Sequence, residues 1–122
     1  MVKLVISTAI SLFIISCSSK FNTQVIEELY VQDFQTTDMN ICSTRDVNLT
    51  HTEALTFFQM SKQVNSKAIH DHYEYAPCFI EGTLEYRGAL CDWNIRAGKT
   101  GVINCKGEEL YFACDECDYL FE

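Results

Sequence analysis

At 122 residues and 48% hydrophobic, the chain has material for one folded domain and no more. One proline, five glycines and 12% aromatic residues argue against a disordered linker protein. The net charge is −8, and −9 once Lys3 near the start is set aside; such a surface repels phosphate backbones and argues against a nucleic-acid partner. The same charge keeps a domain soluble and would speed its encounter with a basic partner.

Lys3 is followed by an uncharged stretch, Leu4 to Ile15, too short to span a bilayer but the length of a signal-peptide core. It ends in Ile14-Ile15-Ser16-Cys17. This order of positive charge, apolar core, small residue and cysteine resembles the lipobox of bacterial lipoproteins. The resemblance implies a signal peptide over 1–16, cleavage before Cys17, a diacylglyceryl group on its sulfur and palmitate-type acylation of the new amino terminus. Several acyl chains anchor firmly, because each buried CH₂ contributes about 0.8 kcal/mol. Ser18 stands where an aspartate would favour inner-membrane retention in that family, so the expected address is the periplasmic side of the outer membrane. Residues 17–24 read as a polar, lipidated tether, and 25–122 as one domain.

Val25 to Phe34 mixes apolar and acidic residues and fits either a short helix or a first strand. Residues 36–48 carry the Thr, Asp, Asn and Ser of a loop around Cys42. Thr50 followed by Glu53 is a capping box, and Ala54, Leu55, Phe57, Phe58 and Val64 form a helical apolar stripe, so one amphipathic helix is expected over 51–64. From Cys78 onward the pattern alternates. Cys78, Ile80, Leu84 and Tyr86 share one parity, as do Ala89, Cys91, Trp93 and Ile95, then Ile103 with Cys105, then Leu110, Phe112 and Cys114. Alternation of this kind marks half-buried antiparallel strands.

Turn residues set an expected register. A two-residue Arg87-Gly88 loop puts Leu84 opposite Cys91 and Gly82 opposite Trp93. A Gly98-Lys99-Thr100 loop puts Ile95 opposite Ile103, and a Gly107-Glu108 loop puts Ile103 opposite Phe112. The expected fold is therefore α+β: a four-stranded antiparallel meander covered by one helix and stabilised by disulfides.

With Cys17 acylated, six cysteines remain: Cys42, Cys78, Cys91, Cys105, Cys114 and Cys117. An even number in an exported domain of this size favours bridges. The register places Cys78 and Cys91 about 20 Å apart, beyond disulfide reach. Cys91 and Cys105 become diagonal neighbours, about 7 Å apart, a marginal bridge. Cys42–Cys78 with Cys114–Cys117 is the first choice for the rest.

Two other groups bear on chemistry. Cys114-Asp115-Glu116-Cys117 is a CxxC, the unit of redox dithiols and of half zinc sites. The acids between its sulfurs raise thiol pKa values and weaken a nucleophile, and the βαβ surroundings of a thioredoxin-like enzyme are missing. His70 and His72 with Cys78, Cys114 and Cys117 could supply a nitrogen–sulfur zinc shell; the competing reading is loop histidines beside disulfides. The acids Glu81, Glu85, Asp92, Glu108 and Glu109 fall on the polar face or in turns, where solvation explains them.

The stretch from His70 to Cys117 resembles small lipoproteins of Gram-negative bacteria to which no activity is attached, so the resemblance implies compartment and fold but no site. The leading expectation is a non-enzymatic binding or inhibitor module of the envelope, needing no cofactor; an immunity protein facing a basic toxin is one form of it. The alternative is a zinc- or thiol-dependent envelope enzyme built on Cys114 and Cys117.

Overall fold

The structure, a computed structural model, describes residues 26–122. The expected leader, Cys17 and the tether lie outside the described residues. Within them, chain order runs β1 (Ile26–Thr36), α1 (His51–Met60), β2 (Lys62–Val64), α2 (Ser66–His72), β3 (Cys78–Tyr86), β4 (Ala89–Arg96), β5 (Thr100–Cys105), β6 (Glu108–Ala113) and a closing 3-10 turn at Asp118–Phe121. No described helix is long and apolar enough to cross a membrane.

The α+β character and the disulfides stand, but among the described residues the sheet has six strands in the order β1-β3-β4-β5-β6-β2, and there are two α-helices. The expected meander forms its centre. β1, which the sequence left open between helix and strand, pairs antiparallel with β3. β2 comes from the end of the expected 51–64 helix. That helix starts at its capping box, where Thr50 Oγ1 accepts from the Glu53 N–H and Glu53 reaches back to the Thr50 N–H. It stops at Met60 because the Ser61 N–H and hydroxyl both bond the Phe57 carbonyl while Ser61 turns extended. Lys62 to Val64 then pair with Ala113 to Tyr111. Asn65 caps α2 by accepting from the Ala68 N–H at 2.8 Å, so His70 and His72 lie on a short helix rather than in a loop.

The inner face of the sheet presents Ile80, Leu84, Trp93, Ile95, Ile103 and Phe112, all buried, to Ala54, Phe57 and Phe58 of α1. Phe58 meets Phe57, Trp93 and Phe112 edge to face at 5.4, 5.8 and 5.5 Å between centroids. Such pairs add about 0.5–1.5 kcal/mol each beyond area burial. Gly101 lies beneath the rings; a Cβ there would sit 2.9 Å from Phe57 Cε1.

The β3–β4 register is the expected one, with Leu84 opposite Cys91 and Gly82 opposite Trp93. The next two registers differ from expectation by two residues. Ile95 faces Gly101 and Trp93 faces Ile103, because the loop is Ala97-Gly98-Lys99, with Lys99 in the left-handed region. Ile103 faces Leu110, because the last hairpin turns at Lys106-Gly107. Both residues of that turn have positive φ, as do Arg87 and Gly88, which suits a type I′ hairpin. Glycine at the second position meets that demand without a Cβ penalty, where Glu108 would pay one. A shift of two preserves parity, so the same side chains stay inside.

Three bridges are present among the described residues. Cys42–Cys78 ties the 37–49 loop to the start of β3, with Cα atoms 5.8 Å apart. Cys91–Cys105 joins β4 to β5 at 4.6 Å, and Cys114–Cys117 closes the turn after β6 at 5.5 Å. The expected diagonal placement of Cys91 and Cys105 is corrected by the register shift, which sets them directly opposite.

Candidate ligand groove on the outer face

The outer face should be polar by alternation. Its β5 and β6 positions instead carry Val102 and Tyr111, which face each other. Val64 pairs with Tyr111 from the sheet edge. These three give the outer face an apolar floor, and α2 sits above it. Between helix and floor lies a groove of about 300 Å³, walled by Ile69 and His70 of α2, by Tyr73 and Tyr75, and by Asn94, Arg96, Val102 and Tyr111 of the sheet.

The wall formed by residues 73–77 is pinned along its length. The Tyr73 hydroxyl donates to Asp115 Oδ1 at 2.8 Å, and Lys62 Nζ approaches Asp115 Oδ2 at 2.8 Å. These two partners hold the Asp115 carboxyl below the usual aspartate range, while desolvation and the bond to Asp115 push the Tyr73 hydroxyl above its own. Arg96 Nη1 donates to the Ala76 carbonyl at 3.0 Å. Its guanidinium lies 5.0 Å from the Tyr75 ring centroid and 4.7 Å from that of Phe79. The Glu74 carbonyl passes so close to Gly98 that a Cβ there would come within 2.3 Å of the oxygen. Glycine at 98 is thus required by the strap that crosses it.

On the β4 side of the groove Asn94 Oδ1 is buried and has no hydrogen-bond partner, the one such side-chain atom among the described residues. An unpaired buried acceptor costs about 1–3 kcal/mol.

Beyond Asn94 the outer face turns acidic. Glu81 faces Asn94 across β3–β4, and Asp33 faces Glu81 across β1–β3. Glu27 is likewise opposite Glu85, and Asp92 lies opposite Thr83. The ion pairs among the described residues, Lys62–Asp115 and Lys99–Asp118, involve none of these five. Like charges directly opposed destabilise a sheet by tenths of a kcal/mol each.

The structure does not assemble the nitrogen–sulfur zinc shell. Cys78, Cys114 and Cys117 are buried, with their sulfurs in bridges rather than free as thiolates. His70 reaches the groove, while His72 borders a separate hollow of about 350 Å³ with Cys114 and Asp115. Cys42, Cys78 and Asp46 bring ligand atoms within 4.8 Å of one another, but two of those atoms are bonded together as a disulfide. The CxxC is a buried bridge, sheltered from an attacking thiol, which suits a structural role.

None of the groove residues except His70 stood out in the sequence. The available signal was the broken alternation at Val102 and Tyr111, two apolar side chains in the polar phase of adjacent strands. Comparison of the chain with protein families, with curated proteins and with solved structures found no match.

Proposed function

We propose that the chain is a small lipid-anchored protein on the periplasmic side of the cell envelope, held in the outer membrane through Cys17, and that it acts by binding rather than by catalysis. The lipobox order at Ile14 to Cys17 supports the anchor, and three internal bridges suit an oxidising compartment. The observation that carries the binding reading is the outer-face groove, with its apolar floor and pinned wall. Concave, mostly apolar sites with a few placed polar groups are the usual form of ligand pockets. Pre-organisation of the wall lowers the ordering cost of association.

Two experiments test the two halves. Cells fed labelled palmitate should label the wild-type protein and leave Cys17→Ser unlabelled; an unlabelled wild type overturns the anchor. A photo-reactive residue placed at His70, exposed on the rim of the groove, should give a discrete adduct in the envelope fraction, with none from the same residue at Glu122. Equal adduct patterns from the two positions overturn the groove as a binding site.

A further inference from the structure

We infer that the occupant of the groove is a segment of a basic polypeptide, seated by one large apolar side chain between α2 and the β5–β6 floor, with its cations over the acidic half of the same sheet face. This rests on the binding reading above and adds the chemistry of the partner.

The register places the two halves side by side. Asp33, Glu81, Asn94, Val102 and Tyr111 form one row across β1, β3, β4, β5 and β6. Strands lie about 4.8 Å apart, so Glu81 is about 10 Å and Asp33 about 14 Å from the groove floor at Val102. An extended chain advances about 3.3 Å per residue. Cations three to five residues from an anchor in the groove would therefore stand above Glu81 and Asp33. Asp92, two residues from Asn94 along β4, widens the acidic area in the strand direction.

Three observations favour a peptide over other ligands. The groove, at about 300 Å³, has room for one aromatic or branched side chain of a longer chain. The acids do not converge: the one group of three or more metal-ligating side chains within reach of each other among the described residues is Cys42, Asp46 and Cys78, on a different part of the molecule. Spread carboxylates suit several spaced cations and not one metal ion. Like charges facing each other in the free protein, exposed on β1 and half-buried on β3, are the arrangement a cationic partner relieves.

The test uses the purified lipidated protein in detergent and a fluorescent peptide of lysine and serine with one central phenylalanine. The expected result is saturable binding that weakens as salt rises. Combining Asp33→Asn, Glu81→Gln and Asp92→Asn should weaken it at least tenfold while raising the unfolding midpoint of the protein, an opposition that mere loss of structure would not produce. Val102→Trp, which fills the groove, should weaken it similarly; Ile69→Glu, altering the opposite wall, guards against misfolding of the first variant. Failure of the lysine peptide to bind overturns the inference, as does binding unchanged by the three neutralised acids. If a glutamine peptide with the same phenylalanine binds as tightly and is lost in Val102→Trp, the groove stands as a binding site and the basic partner falls.

Discussion

Cys91 and Cys105 face each other across β4 and β5 with Cα atoms 4.6 Å apart, one step beyond the Asp92–Asn104 pair. That is the spacing of a non-hydrogen-bonded antiparallel pair, about 4.5 Å. The bridges span separations of 36 residues for Cys42–Cys78, 14 for Cys91–Cys105 and 3 for Cys114–Cys117. Loop-closure entropy alone assigns them about 4, 3 and 1.5 kcal/mol. Urea unfolding of the three paired Cys→Ala variants should follow that order. A larger loss from the Cys114/Cys117 pair than from Cys42/Cys78 would show that packing of the buried sulfurs, and not chain entropy, sets the contribution.

Gly82→Ala should separate β1 from the sheet. A Cβ at Gly82 would lie 1.8 Å from the Tyr30 carbonyl oxygen and 2.9 Å from Trp93 Cζ2. Neither the backbone of β1 nor the buried indole, whose N–H donates to the Thr83 carbonyl at 3.0 Å, moves freely. The expected loss is about 3 kcal/mol, the upper part of the overpacking range. Gly88→Ala provides the contrast. Nothing lies within 4 Å of that position, so only the positive φ opposes it, at about 1 kcal/mol. Hydrogen exchange of β1 amides should accelerate in the first variant and not in the second.

Arg96→Ala should loosen the groove wall more than it unfolds the protein. The side chain supplies one charge-assisted hydrogen bond to Ala76 and lies over two rings. Together these contribute about 2 kcal/mol. Arg96→Lys keeps the charge but loses the planar stack, and should recover only part of the effect. Exchange of the amides at 73–76 reads the outcome directly. Protection of that segment unchanged in Arg96→Ala would remove the guanidinium from the account of the wall.

The attachment of Tyr73 should depend on pH at both ends. Lys62 and Tyr73 depress the Asp115 pKa, so this contribution is complete above the ordinary aspartate range and is lost as pH falls through the lower folded-state value. Asp115 in turn raises Lys62, and desolvation with Asp115 raises Tyr73, so their contribution is complete below their ordinary values and lost as pH rises through the folded ones. All three groups are largely solvated, which keeps the effect on stability well below that of a disulfide. Chemical shifts of the Tyr73 ring should show an acid inflection below that of a free aspartate. Asp115→Asn should abolish it; an unaltered acid limb would show that another group is titrating.

Much of the fold was legible because the deciding forces act locally. Thr50 and Glu53 cap α1 through their own neighbours. Alternation from Cys78 onward assigned four strands and their buried faces, and Arg87-Gly88 set one hairpin through its left-handed preference. What lay beyond reach required contacts distant in sequence. The two other hairpins turn one residue away from the expected loops, and hydrophobic pattern does not detect this, because a shift of two leaves every side chain on its own face. Lys62 to Val64 read equally well as helix until β6 offers them a ladder, and Gly98 has a reason only when the Glu74 carbonyl crosses it. The outer-face groove belongs to this second class. Composition and periodicity specify which side chains avoid water, but a site assembled from α2, the 73–77 strap and three strands exists only once tertiary packing brings those segments together.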